Sequence, residues 1–103
     1  MIARSPVYRD EDYPNLDAGI RRAVQVLIDA GIETFESCEG GPGHSYPEPA
    51  VRFHGGPGDG WAALGACLEL NLRPTDLRRI WYVLDYTDVT GPYWEIVFKE
   101  KFC

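Results

Sequence analysis

The sequence has little that would build a metal cluster, a disulfide framework or a membrane span. Its three cysteines, Cys38, Cys67 and Cys103, include no Cys-x-x-Cys pair, so neither disulfides nor a thiolate zinc site are expected. No apolar run approaches the ~20 residues that cross a bilayer, and residues 1–14 contain no apolar stretch of the signal-peptide type. These absences predict a protein of the reducing cytoplasm that does not insert into a membrane.

Basic residues are also scarce, because 10 lysines and arginines face 16 aspartates and glutamates, for a net charge of −6. Duplex DNA and RNA are bound mainly through neutralised phosphates, so a duplex nucleic-acid partner is not expected. A few well-placed donors can still hold one small anion on an acidic protein. The remaining composition, 45% apolar and 13% aromatic in 103 residues, predicts a single folded domain over residues 1–103.

Hydrophobic periodicity predicts a first helix from Asn15 to Ala30. Asn15 is a favourable N-cap, and Gly31 is a favourable residue immediately after a helix end. The apolar residues repeat at i, i+4, i+7 and i+8, which predicts one buried stripe made of Ile20, Val24, Leu27 and Ile28.

Two short strands are predicted next, at Ile32–Ser37 and Ala50–His54. Side chains alternate between the faces of a strand. In the second strand, the valine and the phenylalanine therefore point one way, while Arg52 and His54 share the other face.

The second half of the chain predicts one helix and one hairpin. The helix lies near Asp59–Leu70 and ends at Asn71, with an inner side expected at Trp61, Leu64, Leu68 and Leu72. Alternating patterns predict strands at Arg79–Tyr86 and Tyr93–Lys99, joined by a turn at residues 87–92. Trp94 is expected in the core, because it alternates with apolar residues of its strand.

The element order α-β-β-α-β-β predicts an α+β fold with a four-stranded, largely antiparallel sheet and both helices on one face. The opposite face would carry Arg52, His54 and, depending on register, either Trp81 or Tyr82. A sheet face of this composition that no helix covers is either exposed to solvent, bound to a ligand or covered by a second subunit. A homo-oligomer is therefore one expectation.

The least ordinary segment is the loop Ser37–Tyr46, because unstructured loops of about a dozen residues are uncommon unless they are functional. Its glycines, Gly40, Gly41 and Gly43, let a ligand approach the main chain, and successive amides can form an anion-binding concavity. The side chains expected to complete a ligand site belong to Ser37, Cys38, Glu39, His44, Ser45 and Tyr46 in the loop and to Arg52 and His54 on the following strand.

Several other interpretations of this loop remain open. It lacks the Gly-Lys-Ser/Thr ending of a P-loop and the setting of a Rossmann fingerprint, so no cofactor is predicted. Cys38 with His44 could form an activated nucleophile, although the neighbouring Glu36 and Glu39 oppose a thiolate. The histidines with Glu39 and Cys38 match no metal-site spacing, so no metal is predicted. The loop could also be a plain connection.

The string ETFESCEGGPGH, followed by PEPAVRFHG, resembles small bacterial and phage proteins that carry an ESCEGG-x-GH motif. The most specific part of the resemblance is Ser37–His44. It brings no established activity and therefore implies no catalytic residue. By analogy with small acidic phage domains that sequester nucleotide-derived immune signals of the host, it implies a compact binding protein.

These observations predict a non-enzymatic binder of a small anionic, nucleotide-like molecule. The amides of residues 40–43 would hold the negative group, and Arg52 would add a charge-assisted fork. His44 or His54 would donate a hydrogen bond, and an exposed aromatic ring would stack on a base. Two alternatives stay open: a small hydrolase or transferase that uses Cys38 or a histidine, and a protein-interaction or inhibitor subunit.

Overall fold

The computed structural model describes residues 18–102. The Asn15 N-cap, the polar segment 1–14 and Cys103 lie outside the described residues. The elements follow the predicted order, after a 3-10 turn at Ala18–Ile20: α1 (Arg21–Asp29), β1 (Glu33–Cys38), β2 (Ala50–His54), α2 (Pro57–Glu69), β3 (Pro74–Leu84) and β4 (Asp88–Phe98). Within residues 18–102, no helix is both long enough and apolar enough to cross a membrane.

The four strands form one antiparallel sheet in the order β1-β2-β4-β3. The predicted α+β fold and the antiparallel sheet are confirmed. Each αββ half contributes one hairpin, and the two hairpins meet at the central β2–β4 pair, where Val51 lies opposite Ile96 and Arg52 opposite Glu95. Alternation along these central strands therefore sends one residue into the core and the next to the opposite face.

The core lies between the sheet and the two helices. The predicted α1 stripe is buried, and Gly31 follows the helix with the expected positive φ of 82°. The sheet supplies Val51, Phe53, Ile96 and Phe98 to the same cluster. Burial of each such side chain contributes about 1.5–3 kcal/mol relative to leaving it exposed. Both helices therefore cover one face, and the other sheet face, called the open face below, is left uncovered by them.

The inner side of α2 agrees with the prediction only in part. Leu72 is buried and Leu64 packs against the core, as predicted, but Trp61 and Leu68 are exposed. The buried residues within the helix are the small ones, Gly60, Ala63 and Cys67. These three positions are spaced by three and four residues, so they also form one stripe. The prediction placed large apolar residues on the inner side of α2. The helix backbone instead comes close to the sheet, and this close packing requires small residues.

Gly60 is where that close approach occurs. A Cβ atom at this position would lie 2.5 Å from the Trp94 ring. The indole nitrogen of Trp94 donates a hydrogen bond to the Gly56 carbonyl at 3.0 Å. Trp94 is thus packed against the core, and its predicted place there is confirmed.

The start of α2 lies two residues before the predicted one. Pro57 occupies the first helical position, where its missing N–H is harmless. Asp59 accepts a hydrogen bond from the Gly56 amide at 2.8 Å, which satisfies one donor at the helix start. At the other end, Asn71 has a φ of 58° and terminates the helix as predicted.

The β3–β4 hairpin turns earlier than predicted. The turn lies at Asp85 and Tyr86, which have φ values of 49° and 64°, and the Thr87 amide donates to the Leu84 carbonyl at 3.0 Å. Residues 88–92, predicted as turn, belong to β4. The Gly-Pro signal at residues 91–92 instead coincides with a register irregularity opposite Ile80–Tyr82, and bulges are where a sheet tolerates proline.

Candidate functional site

The glycine loop is held largely by its own hydrogen bonds. All three glycines have positive φ, and a Cβ atom on Gly40 would lie 2.4 Å from the Glu48 carbonyl carbon. The Gly41 amide donates to the Pro47 carbonyl at 3.2 Å, and the His44 amide donates to the Gly41 carbonyl at 3.1 Å. The Gly40 amide points to the Cys38 sulfur at 3.4 Å. These three amides are therefore engaged within the loop.

A concavity of about 370 Å³ beside this loop has a carboxylate among its lining groups. Glu39 accepts a hydrogen bond from the Gly19 amide at 2.8 Å. Its other oxygen lies 3.4 Å from His44 Nε2 and 3.9 Å from Lys101 Nζ. Because the negative charge of Glu39 offsets the lysine charge, this concavity has no strong net attraction for an anion.

Arg52 belongs to a row of charged residues that crosses the open face. The strand register places Glu36, Arg52, Glu95 and Arg78 side by side, one from each strand. Arg52 Nη1 donates to Glu36 and Arg52 Nε donates to Glu95, both at 2.9 Å. Arg78 donates to the other Glu95 oxygen at 3.1 Å and to Asp76 at 2.8 Å. The row alternates in sign, so its members neutralise one another.

Three tyrosine rings surround the Arg52 guanidinium. Its central carbon lies 4.7 Å from the ring centroid of Tyr46, 5.3 Å from that of Tyr93 and 6.0 Å from that of Tyr82. Such distances allow cation–π attraction. The Tyr46 hydroxyl donates to Glu36, so Tyr46 ties the glycine loop to the sheet. Burial, together with this hydrogen bond, raises the pKa of Tyr46 above its ordinary value.

The partners of Arg52 keep its guanidinium group protonated. Burial acts to lower the pKa of Arg52, but the hydrogen bond to Glu95 and the neighbouring tyrosines raise the pKa above its usual value. The hydrogen bonds of Arg52 use Nη1 and Nε. Among the described residues, Nη2 has no partner, so one charged donor remains for a ligand.

A bulge in β1 adds an aromatic ring to the open face. The register shifts between Thr34 and Glu36, which makes Phe35 the extra residue. The Phe35 ring stacks on His54, with centroids 4.3 Å apart, and meets Tyr93 edge-on at 5.3 Å. Simple alternation would have placed Phe35 on the face opposite to that of Glu36. The sequence therefore carried no signal for its position.

These side chains enclose a groove of about 550 Å³, which we call the face groove. Its lining consists of Phe35, Glu36, Arg52, His54, Tyr82 and residues 90–93. The Tyr93 hydroxyl is buried and makes no hydrogen bond of normal geometry with the described residues. Burial, and next a side-chain hydrogen-bonding interaction with Tyr82, raises the pKa of Tyr93 to about 12. Tyr82 therefore lies near enough to act on this hydroxyl, in a geometry that leaves it poorly satisfied within residues 18–102.

The predicted site residues are divided between two places. Arg52, His54 and Tyr46 lie together on the open face, as alternation along β2 predicted for the first two. The loop concavity is lined by Glu39, Gly40, Gly41 and His44, and Arg52 is not part of its lining. Gly43 and Ser45 are exposed, whereas Ser37 pairs with Val51 in the β1–β2 ladder. Tyr82, predicted for this face as the alternative to Trp81, lines the face groove. The sequence did not predict the other participants, which are Phe35, Glu36, Arg78, Tyr93, Glu95 and Lys101.

The cysteines are in positions that limit their chemistry. Cys38 is only 5% exposed, and its one hydrogen bond within residues 18–102 comes from the Gly40 amide. Cys67 is fully buried, and burial raises the pKa of its thiol to about 12. The packing role predicted for Cys67 is confirmed. In the described part of the chain, no group of three or more histidines, cysteines and carboxylates is close enough to hold a metal ion.

Comparison with known proteins does not assign this chain to a family. The chain matches no family model, no curated protein and no solved structure. The candidate site is therefore defined by its own geometry: a face groove beside a neutralised Arg–Glu row, with an Arg52 nitrogen that has no partner within residues 18–102 and a buried, poorly satisfied Tyr93 hydroxyl.

Proposed function

We propose that this protein binds a small nucleotide-like molecule in the face groove and releases it chemically unchanged. A groove of about 550 Å³ is within the range of small-molecule sites, which are typically about 300–1,000 Å³. Four of its nine lining residues, Phe35, His54, Tyr82 and Tyr93, carry aromatic rings, which suits a planar ligand ring. The proposed site is thus moved from the glycine amides to the sheet face.

The observation that carries the proposal is the group of aromatic rings that line the face groove, beside a buried Tyr93 hydroxyl that makes no hydrogen bond of normal geometry with the described residues. Phe35 and His54 already stack on each other, and both border the groove. Stacking of a base on an aromatic side chain contributes about 1–3 kcal/mol per base. A base in this position could accept the Tyr93 hydrogen bond and donate its amino group to Glu36. The groove therefore offers both stacking and edge recognition.

The anionic part of the ligand would rest on Arg52. Its Nη2, which has no partner among the described residues, can donate to a phosphate or carboxylate oxygen while Nη1 and Nε keep their carboxylate partners. Because Glu36 and Glu95 offset most of the arginine charge, this contact orients the ligand more than it attracts it. Affinity would come mainly from the ring, and only a minor part of it would depend on salt.

A binder fits the site better than an enzyme does. Cys38 is buried and bonded to a loop amide, whereas a cysteine nucleophile needs access and an activating base. The groove itself is lined by a paired arginine, tyrosines and one exposed histidine. The Ser37–His44 segment resembles small bacterial and phage proteins, and by analogy with small acidic phage domains that sequester host signals, the role would be sequestration of a nucleotide-derived signal in the cytoplasm.

Calorimetric titration with a panel of probes tests this proposal: adenosine monophosphate, guanosine monophosphate, a cyclic dinucleotide, adenosine and inorganic phosphate. At least one phosphorylated nucleoside should bind with a dissociation constant below about 100 μM, roughly −5.5 kcal/mol. Inorganic phosphate alone should not bind. Mass spectrometry after denaturation should recover the probe unaltered. A product of new mass would establish an enzyme instead, and absence of binding across the nucleotide panel would refute the proposal.

Two substitutions separate the groove from the loop. Phe35→Ala removes one stacking ring and should weaken binding about 10- to 100-fold. Cys38→Ser is the matched control and should leave binding within about threefold, because the sulfur does not line the groove. If Cys38→Ser weakens binding and Phe35→Ala does not, the ligand binds at the glycine loop instead.

A further inference from the structure

The far end of the β3–β4 hairpin extends beyond the rest of the sheet. β2 pairs with β4 only over residues 94–97, while β3 and β4 continue as a two-stranded ribbon to the turn. We call residues 81–92 the arm. A two-stranded ribbon is marginal in water unless one of its faces is packed. Here every residue from 81 to 91 is exposed.

The arm is apolar on both of its faces. Its exposed side chains are Trp81 (56%), Tyr82 (44%), Val83 (61%), Leu84 (52%), Tyr86 (99%) and Val89 (65%). Together they offer roughly 700–900 Å² of accessible surface, since one fully exposed aromatic side chain contributes about 150–250 Å². A standard protein interface buries about 800 Å² on each partner. The arm alone therefore presents the area that a stable dimer needs.

The two edges of the sheet are built differently. The β1 edge is six residues long, carries Glu33 and Glu36 and is interrupted by the Phe35 bulge. These are devices that prevent a strand from joining another chain. The β3 edge is eleven residues long, and its register with β4 is regular from Asp76 to Ile80. The β3 edge is therefore the longer of the two, although its ladder with β4 is irregular between Pro74 and Asp76 and again between Ile80 and Tyr82.

We propose that the β3 edge and the arm form the interface between two copies of this chain. In this dimer the two β3 strands pair antiparallel about a twofold axis near Tyr82. The two sheets then join into one sheet of eight strands, and the apolar residues of each arm cover those of the other.

Charge favours a second copy of the chain as the occupant of this surface. The arm ends in Asp85 and Asp88, which have no ion-pair partner among the described residues, and begins after Arg78 and Arg79. With the axis at Tyr82, the turn that begins at Asp85 in one copy lies close to Arg79 of the second copy, whose guanidinium in its own chain contacts the Gly55 carbonyl and the Trp94 ring. The acidic tip of each arm thus lies near a basic residue of the other copy, which favours this orientation of the two chains.

The interface also borders the face groove. Tyr82 and residues 90–92 belong to the arm and line the groove at the same time. Pairing of the arms would therefore hold one wall of the groove in place. The test of the dimer is independent of the ligand proposal, because both experiments below are done without ligand.

Sedimentation equilibrium of the full chain over about 1–200 μM tests the proposal. The expected mass at high concentration is twice the 11.6 kDa of one chain. Trp81→Glu puts a charge into the interface and should raise the dissociation constant at least ~100-fold. Trp61→Glu is the matched control, because Trp61 is also exposed (71%, against 56% for Trp81) but lies on α2, and this variant should remain dimeric. A monomer at all concentrations, or a dimer that survives Trp81→Glu, overturns the proposal.

Cysteine cross-linking tests the strand pairing itself, in a Cys103→Ser background. Tyr82→Cys places the thiols of the two copies across the axis, where directly opposed Cα atoms lie about 4.5–5.5 Å apart and can form a disulfide. Thr75→Cys, near the other end of β3, should not cross-link. A dimer in which Tyr82→Cys forms no covalent product contradicts edge-to-edge pairing of β3, even if Trp81→Glu dissociates it.

Discussion

Replacement of Arg52 by methionine tests whether the charged row on the open face is formed as described. Arg52 makes two ion pairs at 2.9 Å, one with Glu36, whose side chain is half exposed, and one with the buried Glu95. Methionine retains much of the side-chain volume and removes the charge. The change therefore isolates the loss of the two pairs from the loss of packing.

The two pairs differ in strength. The pair with the exposed Glu36 is worth at most about 1 kcal/mol. The hydrogen bond to the buried Glu95 contributes about 1.5–3 kcal/mol, since a charged group is involved and the carboxylate stays buried. Arg78 still holds the other Glu95 oxygen, which limits the damage. Arg52→Met should therefore lower the free energy of unfolding by about 2–3 kcal/mol, or Tm by about 10–20 °C.

Urea unfolding monitored by tryptophan fluorescence measures this loss. The control is Arg78→Met, which removes a half-exposed partner of the same carboxylate and should cost less than about 1 kcal/mol. In a double-mutant cycle, Arg52→Met and Glu95→Gln should couple by about 1–2 kcal/mol. A cost below about 0.5 kcal/mol for Arg52→Met, or equal costs for the two arginines, would refute the described row.

Three further predictions follow from local contacts. Gly60→Ala should destabilise the fold by about 1–2 kcal/mol in urea unfolding, because the added Cβ meets the indole ring behind it; Gly65→Ala, in open space on the same helix, should instead stabilise by up to about 1 kcal/mol. The pKa of Cys67, raised to about 12, means that above pH ~8.5 the unfolded chain loses a proton that the folded chain keeps. Stability should therefore fall from that pH towards pH 12, by up to about 1.4 kcal/mol per unit, and Cys67→Ala should flatten the slope. Tyr46→Phe removes a hydroxyl–carboxylate hydrogen bond and should speed amide exchange in residues 40–46 without changing exchange in β2; unchanged exchange in the loop would contradict its attachment to the sheet.

The parts of the fold that the sequence predicted are those set by local periodicity. The α1 stripe and the β2 alternation each depend on residues within one element, and both were confirmed. The inner side of α2 was predicted only in part, because Leu64 and Leu72 pack in or against the core but Trp61 and Leu68 do not. The small inner residues were missed because Gly60 is required by the close approach of the helix to Trp94 and not by hydrophobicity. The hairpin turn was misplaced because Asp85 and Tyr86, unlike glycine, give no strong signal for positive φ.

The site was predictable only in part, for a related reason. Arg52 and His54 could be assigned to one face from their spacing in β2. The partner of Arg52 on β4, Glu95, is 43 residues away in the chain, and only the strand register reveals the pairing. The exact position of Phe35 depends on a bulge that alternation cannot show. Local sequence patterns cannot predict arrangements that depend on strand register or on irregular backbone.

The location of the ligand site is tested most directly by a nuclear magnetic resonance titration with adenosine monophosphate, in which ring and amide resonances are observed together. If the ligand binds in the face groove, the ring signals of Phe35, His54 and Tyr82 shift and broaden together with increasing ligand. The amide signals of Gly41 and Gly43 then stay in place. Shifts confined to those loop amides, with the three rings unaffected, would contradict the proposed location of the site.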